Sequence, residues 1–135
     1  MWLQPKKTKY KKLKKGKIPR FNLKNTKLVF GSMGLKCTES GIISSKQIES
    51  ARQAINRKMK RKGKIWIRIF PFISVTSKPN EVRMGKGKGN VSKWCAKVSS
   101  GTILFEICNK STRDSLLALK SGNNKLPLKT KIIKN

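Results

Sequence analysis

Histidine is absent from the sequence, and with it the commonest general base and metal ligand. Acidic residues are almost as scarce. Glu39, Glu49, Glu81, Glu106 and Asp114 are the only five, and they are scattered rather than paired. An enzyme built on this chain would have to work through a lysine or a thiol, and none is expected. Cys37, Cys95 and Cys108 are too few and too far apart for a zinc signature. Their odd number also argues against a secreted disulfide framework, so they read as buried or neutral thiols. No apolar run approaches the roughly 18 residues of a transmembrane helix. Neither a metal, a cofactor, a small-molecule substrate nor a membrane-spanning segment is therefore expected.

What is abundant is positive charge. Lysine and arginine total 34 in 135 residues, for a formal charge of +29. A compact domain with that imbalance repels itself, and a polyanionic partner resolves the strain by taking up the charge. Membrane surfaces attract cations as well, so charge alone does not name the anion. The length suits a single domain with one modest core.

Residues 1–25 form a basic arm carrying Lys6, Lys7, Lys9, Lys11, Lys12, Lys14, Lys15 and Lys17. Its preference for lysine over arginine, with Pro5 and Pro19, fits an RNA-docking arm better than an organelle presequence. Residues 26–135 read as one α+β domain. Thr26 to Lys36 is expected to be extended, broken by Gly31 and Gly34. Ser44 and Gln47 have capping-box spacing ahead of Ile48, Ala51, Ile55 and Met59, which recur at helical period. Lys46, Gln53, Arg57, Lys60 and Arg61 fall roughly opposite, and Gly63 can end the helix in a left-handed cap. A helix with one dry stripe and one cationic face belongs between a core and an anion.

Lys64 to Phe70 alternates as a strand, with Ile65, Ile67 and Ile69 on one face and Trp66, Arg68 and Phe70 on the other. The aromatic–Arg–aromatic face could stack bases or pack inward, and packing is favoured. Trp94–Val98 and Thr102–Ile107, separated by Ser99, Ser100 and Gly101, suggest an antiparallel hairpin. Ser111 with Asp114 can open a second helix that stops near Gly122, and Leu128, Thr130 and Ile132 allow a last strand. The sum is an antiparallel or mixed β-sheet sandwich packed with two helices, plus the extended arm.

Between strands lies Glu81-Val82-Arg83-Met84-Gly85-Lys86-Gly87-Lys88-Gly89-Asn90. Glycine lets a backbone approach a ligand closely, and the interleaved lysines supply charge for phosphate. The stretch lacks the P-loop pattern, and its glycines precede a strand rather than opening a helix as a dinucleotide fingerprint does. A basic finger able to enter a crowded RNA site remains, against a plain surface hairpin.

Several blocks now become recognisable. Gly63-Lys64-Ile65-Trp66-Ile67-Arg68-Ile69-Phe70-Pro71, Lys78-Pro79 and residues 82–90 closely resemble the sixteenth family of universal large-subunit ribosomal proteins. Leu3-Gln4-Pro5-Lys6, Phe30-Gly31-Ser32, Gly34-Leu35-Lys36, Gln47-Ile48-Glu49 with Ala51-Arg52, and Lys125-Leu126-Pro127 extend the likeness over nearly the whole chain. The resemblance implies an α+β fold and a structural role against large-subunit rRNA near the central protuberance. It also implies a loop directed at the peptidyl-transferase region and the A- and P-site tRNAs, and neighbouring ribosomal proteins as partners. By that likeness the loop contacts would be Arg83, Met84, Gly85, Lys86, Gly87, Lys88, Gly89 and Asn90. Further rRNA contacts would come from Lys6, Lys7, Lys9, Lys11, Lys12, Lys14 and Lys15 of the arm, and from Lys46, Arg52, Arg57, Lys60, Arg61, Lys64 and Arg68. The chain departs from the family at Glu39-Ser40-Gly41-Ile42, where relatives carry a Gly-Arg-Gly-Arg stretch, and over Cys108 to Asn124.

The family pattern begins almost at Met1, so no cleaved import signal is expected. Lysine outnumbers arginine 27 to 7, the bias of an A+T-rich genome. Val98-Ser99-Ser100-Gly101 also looks like mitochondrial relatives. A mitochondrial ribosome is the expected location, with a plastid or a bacterium as alternatives. The rival function is a general basic nucleic-acid binder outside the ribosome, which would need the charge but not the order of residues 82–90.

Overall fold

A computed structural model describes residues 3–18, 20–21 and 24–135. Pro19, which entered the reading of the arm, lies outside them. The described elements run β1 (Met33–Cys37), β2 (Gly41–Ser44), α1 (Ser45–Lys58), β3 (Lys64–Ile67), β4 (Ile73–Ser77), β5 (Asn90–Val98), β6 (Ile103–Cys108), α2 (Thr112–Asn123) and β7 (Thr130–Lys134). They build two antiparallel sheets, ordered β3-β6-β1-β7 and β2-β5-β4, with the helices packed together over them. The α+β expectation holds.

Helix α1 forms where local chemistry asks for it. Ser44 and Gln47 make the reciprocal capping box, and Ile48, Ala51 and Ile55 are buried. The C-terminal end differs from expectation. Lys60 donates its N–H to Arg57 O and Arg61 donates to Asn56 O, the paired bonds of a Schellman motif. The left-handed residues are Lys60 (φ 51°) and Arg61 (φ 59°), while Gly63 (φ 101°) instead turns the chain into β3. Helix α2 starts on Ser111, whose Oγ accepts the Asp114 N–H, as read from the sequence. The helix stops at Asn123, near Gly122 as expected, and Gly122 itself is buried against α1. A Cβ there would come within 2.5 Å of Ile55, so its smallness sets how closely the helices approach.

Leu35, Phe105 and Ile107 occupy the face of the four-stranded sheet that joins the helices in the core. The opposite face carries Gly34, Glu106 and Trp66 in one row across β1, β6 and β3. Residues 28–31 cross this row as a strap. The expectation of an extended Thr26–Lys36 segment therefore fails in its first half: the strand begins at Met33, because the preceding amides turn towards Glu106. Gly34 does not break the strand. It sits within it, where a Cβ would meet both Leu28 and the Phe105 carbonyl at 2.7 Å.

Two other expectations need correction. The stretch 94–98 and 102–107 does not form a hairpin, because β5 pairs with β2 and β4 while β6 pairs with β1 and β3. At the turn, Gly101 N–H donates to Cys37 O and Cys37 N–H donates to Thr102 O, both at 2.8 Å. Docking on the end of β1 sends the chain from one sheet to the other. The 64–70 strand is shorter than its alternation suggests and ends at Ile67, leaving Phe70 exposed. Strands β2 and β4 went unrecognised, although Ile73-Ser74-Val75-Thr76 has the β-branched alternation that marks β4.

Candidate nucleic-acid interface

Strands β4 and β5 pair antiparallel down to Ser77↔Asn90, so residues 78–89 are the tip of one long hairpin. The base of that tip is close-packed: a Cβ on Gly89 would lie 2.6 Å from the Ser77 carbonyl. A turn follows in which Val82 N–H donates to Pro79 O, and the Lys78 ammonium donates to Gly85 O. Gly85, Lys86 and Gly87 then take φ values of 98°, 51° and 82° in succession. Nothing lies within 4 Å of where a Cβ on Gly85 or Gly87 would stand. Met84 is 99% exposed, an apolar side chain presented to solvent among Arg83, Lys86 and Lys88. Beyond its base the finger is held by hydrogen bonds rather than by packing.

The arm is attached to this finger. Leu3 is buried in the core cluster, which anchors the arm's beginning beside the first turn of α1. Further along, Lys12 Nζ donates to Lys88 O at 2.7 Å and Lys88 Nζ donates back to Leu13 O at 2.9 Å. Lys15 reaches a cleft shared with Ile42, Val75, Lys93 and Cys95, on the three-stranded sheet. Lys6, Lys7, Lys9, Lys11, Lys12, Lys14 and Lys15 are all exposed. Lys46, at the start of α1, lines a groove with Gln4, Ser77 and Lys93 beside the hairpin. Arm, finger and Lys46 therefore share one flank. Lys93 belongs to it too and was missed; its place in β5 beside the finger was the available signal.

The remaining site candidates lie elsewhere. Arg57, Lys60, Arg61 and Lys64 are exposed around the C-terminal end of α1, where Lys62 and Lys110 add to them. Arg52 and Arg68 are partly covered and hold carboxylates. Arg52 grips Glu49 through two hydrogen bonds of 2.9 and 2.7 Å, which holds the Glu49 carboxyl below its ordinary pKa. Arg68 pairs with Glu106, whose side chain is fully buried. The other Glu106 oxygen, Oε2, accepts the amides of Val29, Phe30 and Gly31 at 3.1, 2.7 and 2.9 Å. Burial alone would raise this carboxyl, but the three amides and the guanidinium outweigh it and the pKa falls. The Arg68 guanidinium also lies 5.0 Å from the Phe30 ring centroid, and Phe30 stacks on Trp66 at 6.1 Å with 21° between the planes.

Among the described residues no cluster of His, Cys, Asp or Glu could hold a metal, and no helix is long and apolar enough to cross a membrane. Cys37 and Cys95 are buried, which pushes both thiols up and keeps them neutral, while Cys108 is exposed. At the divergent 39–42 segment Glu39 pairs with Lys129 at 3.2 Å, and Ser40 ties the arm to the 99–101 turn through Arg20 O and Ser100 N. The segment's polar groups are thus engaged by contacts within the chain.

Residues 5–133 match the family described as ribosomal protein L16p/L10e. The chain is 52% identical over 131 residues to the large ribosomal subunit protein uL16 of Cereibacter sphaeroides, covering 97% of this chain and 96% of that protein. It is 51% identical over 132 residues to the uL16 of Hyphomonas neptunium, with 98% and 96% covered. Against the uL16 of Halorhodospira halophila the identity is 49% over 131 residues, with 97% and 96% covered.

Proposed function

Because this chain belongs to the ribosomal protein L16p/L10e family, we propose that its finger and arm together fix large-subunit rRNA near the peptidyl-transferase region and help seat tRNA in the A and P sites. The protein is a structural constituent of the large ribosomal subunit and not an enzyme. Its partners are rRNA and neighbouring ribosomal proteins, and its place is the ribosome.

One observation carries the finer reading. Residues 83–88 combine an exposed methionine, consecutive left-handed residues and three cations, yet the chain supplies no contact that requires the glycines at 85 and 87. A backbone shaped that way is adapted to a surface outside the chain. Arg83, Lys86 and Lys88 would neutralise phosphates, while the glycines leave room for nucleic-acid backbone to come close. Lys6, Lys7, Lys9, Lys11, Lys12, Lys14 and Lys15 would extend that contact along the arm. Lys46, Arg57, Lys60, Arg61 and Lys64 would hold other rRNA segments. The domain division follows: 1–25 as rRNA-docking arm, 26–135 as the folded body carrying the finger. A general basic binder would need the same charge but no such backbone.

We place the ribosome in a mitochondrion on composition, the 27 lysines against 7 arginines; the relatives named above are bacterial, and a bacterial or plastid ribosome is the alternative. Sedimentation of organelle lysate in high salt separates these, since the mitochondrial reading requires the chain to travel with the organelle's large subunit. For the finger, ribosomes carrying Lys86→Ala with Lys88→Ala should translate several-fold more slowly than ribosomes carrying Lys6→Ala with Lys7→Ala. Equal rates would remove any special role of the finger.

A further inference from the structure

We propose that Phe30 and Trp66, braced by Arg68 and Glu106, form a stacking platform for one unpaired RNA base, a site separate from the finger. The inference rests on the reading that this chain binds rRNA. Strap residues 28–31 lie across the outer face of the four-stranded sheet, and their fixation is unusually complete. Three consecutive amides bind one oxygen of the buried Glu106, and the other oxygen holds Arg68. Phe30 contributes one of those amides at 2.7 Å, so its backbone is pinned. Its ring stacks on the Trp66 indole, and the Arg68 guanidinium lies 5.0 Å from its centroid. Even so, Phe30 is 55% exposed.

A large aromatic ring that is both immobilised and half in water loses little conformational entropy when a second flat partner covers it. The chemistry around it selects the partner. Beside the ring runs a groove along the free edge of β3, lined by Arg52, Asn56, Trp66 and Arg68. Asn56 carries an amide that can donate to and accept from a base edge, and guanidinium planes stack on bases as aromatics do. The nearby acids, Glu49 and Glu106, already hold Arg52 and Arg68. Exposed Arg57, Lys60, Arg61 and Lys64 leave the surroundings cationic, which suits the phosphates flanking a splayed base. A protein strand added to the β3 edge is the competing occupant, and it would have no use for the cationic rim.

The test uses the full chain with Trp2 and Trp94 changed to phenylalanine, so that Trp66 is the reporter. A short oligoadenylate should quench Trp66 at high salt, and an abasic ribose-phosphate oligomer of equal length should not. Phe30→Leu keeps apolar bulk but loses the ring, and should weaken oligoadenylate binding about tenfold, as expected from the loss of one stacked base. Phe30→Tyr should bind as the parent does, and abasic binding should be the same in all three. Equal quenching by the abasic oligomer, or unchanged affinity in Phe30→Leu, overturns the platform while leaving rRNA binding intact. Failure of both oligomers to bind at any salt overturns the rRNA reading with it. A Trp66 response to RNA-free large-subunit proteins, with none to oligoadenylate, assigns the face to a protein and overturns the proposal.

Discussion

Two glycine-bearing segments of this molecule invite comparison, the strap at 28–34 and the finger at 78–89. At the strap, a Cβ on Gly31 would stand 2.6 Å from the Ile107 carbonyl oxygen, and one on Gly34 would strike Phe105 and Leu28. At the finger, a Cβ on Gly85 or Gly87 would meet open space. The strap's glycines are explained by the chain's own packing. In the finger Gly89 is explained the same way, but Gly85 and Gly87 are called for only by their positive φ, and between them Lys86 holds a left-handed φ of 51° that no packing within the chain imposes. Glycine thus has different causes in the two segments: close packing in the strap, and at Gly85 and Gly87 a positive φ in open space, which is what the proposed contact with RNA would use.

The strongest way to break that contrast is Gly31→Ala. The added methyl must displace backbone on β6 and pull the strap's amides from Glu106. A loss of about 3 kcal/mol is expected, the upper end for overpacking, or a Tm lower by roughly 10 °C. A thermal melt that does not move would mean the strap is not seated as described.

Next in size is Glu106→Gln, which keeps the shape and removes the charge. Breaking this buried ion pair should cost about 2 kcal/mol near neutrality, below the full cost of deleting a partner because the amide oxygen still accepts. The sign with pH follows from the depressed carboxyl. A group whose folded pKa lies below its unfolded value, about 4.3 for glutamate, stabilises above the unfolded value and loses that contribution as pH falls through the folded one. The gap between parent and variant in urea midpoints should therefore be widest at neutral pH and close on acidification. A gap that stays constant would show that the charge contributes nothing.

What could be read beforehand divides along the same line. Helix α1 and its capping box, the start of α2 and the final strand were legible because their determinants lie within a few residues. The finger was legible too, since alternating glycine and lysine is a local pattern and the family likeness is densest there. The strap was not. Glu106 looked like one of five scattered acids, and its partners at Val29 to Gly31 lie 75 to 77 residues away. Sheet assignment failed at 99–101 for the same reason. A short gap with glycine predicts a hairpin, but docking on Cys37, which fixes the actual path, is a long-range fact.

The smallest expected effect on stability is the most informative about the finger. Lys86→Ala with Lys88→Ala removes one internal side-chain bond, from Lys88 to Leu13 O, while the Lys88 carbonyl still accepts from Lys12. Exposed substitutions of this kind should stay within about 0.5 kcal/mol of the parent, against the several kcal/mol expected at Gly31. Binding should behave in the opposite way. If each lysine neutralises one phosphate of single-stranded RNA, the slope of log affinity against log salt should shrink by about 1.4 for the pair, roughly 0.7 per contact. Gly31→Ala, assayed well below its melting temperature, should leave that slope unchanged. Stability lost without a change in slope at the strap, and slope lost without a change in stability at the finger, would separate the two segments by measurement. A double lysine variant that melts early with an unaltered salt slope would instead make the finger a structural hairpin, and its open glycines would need another explanation.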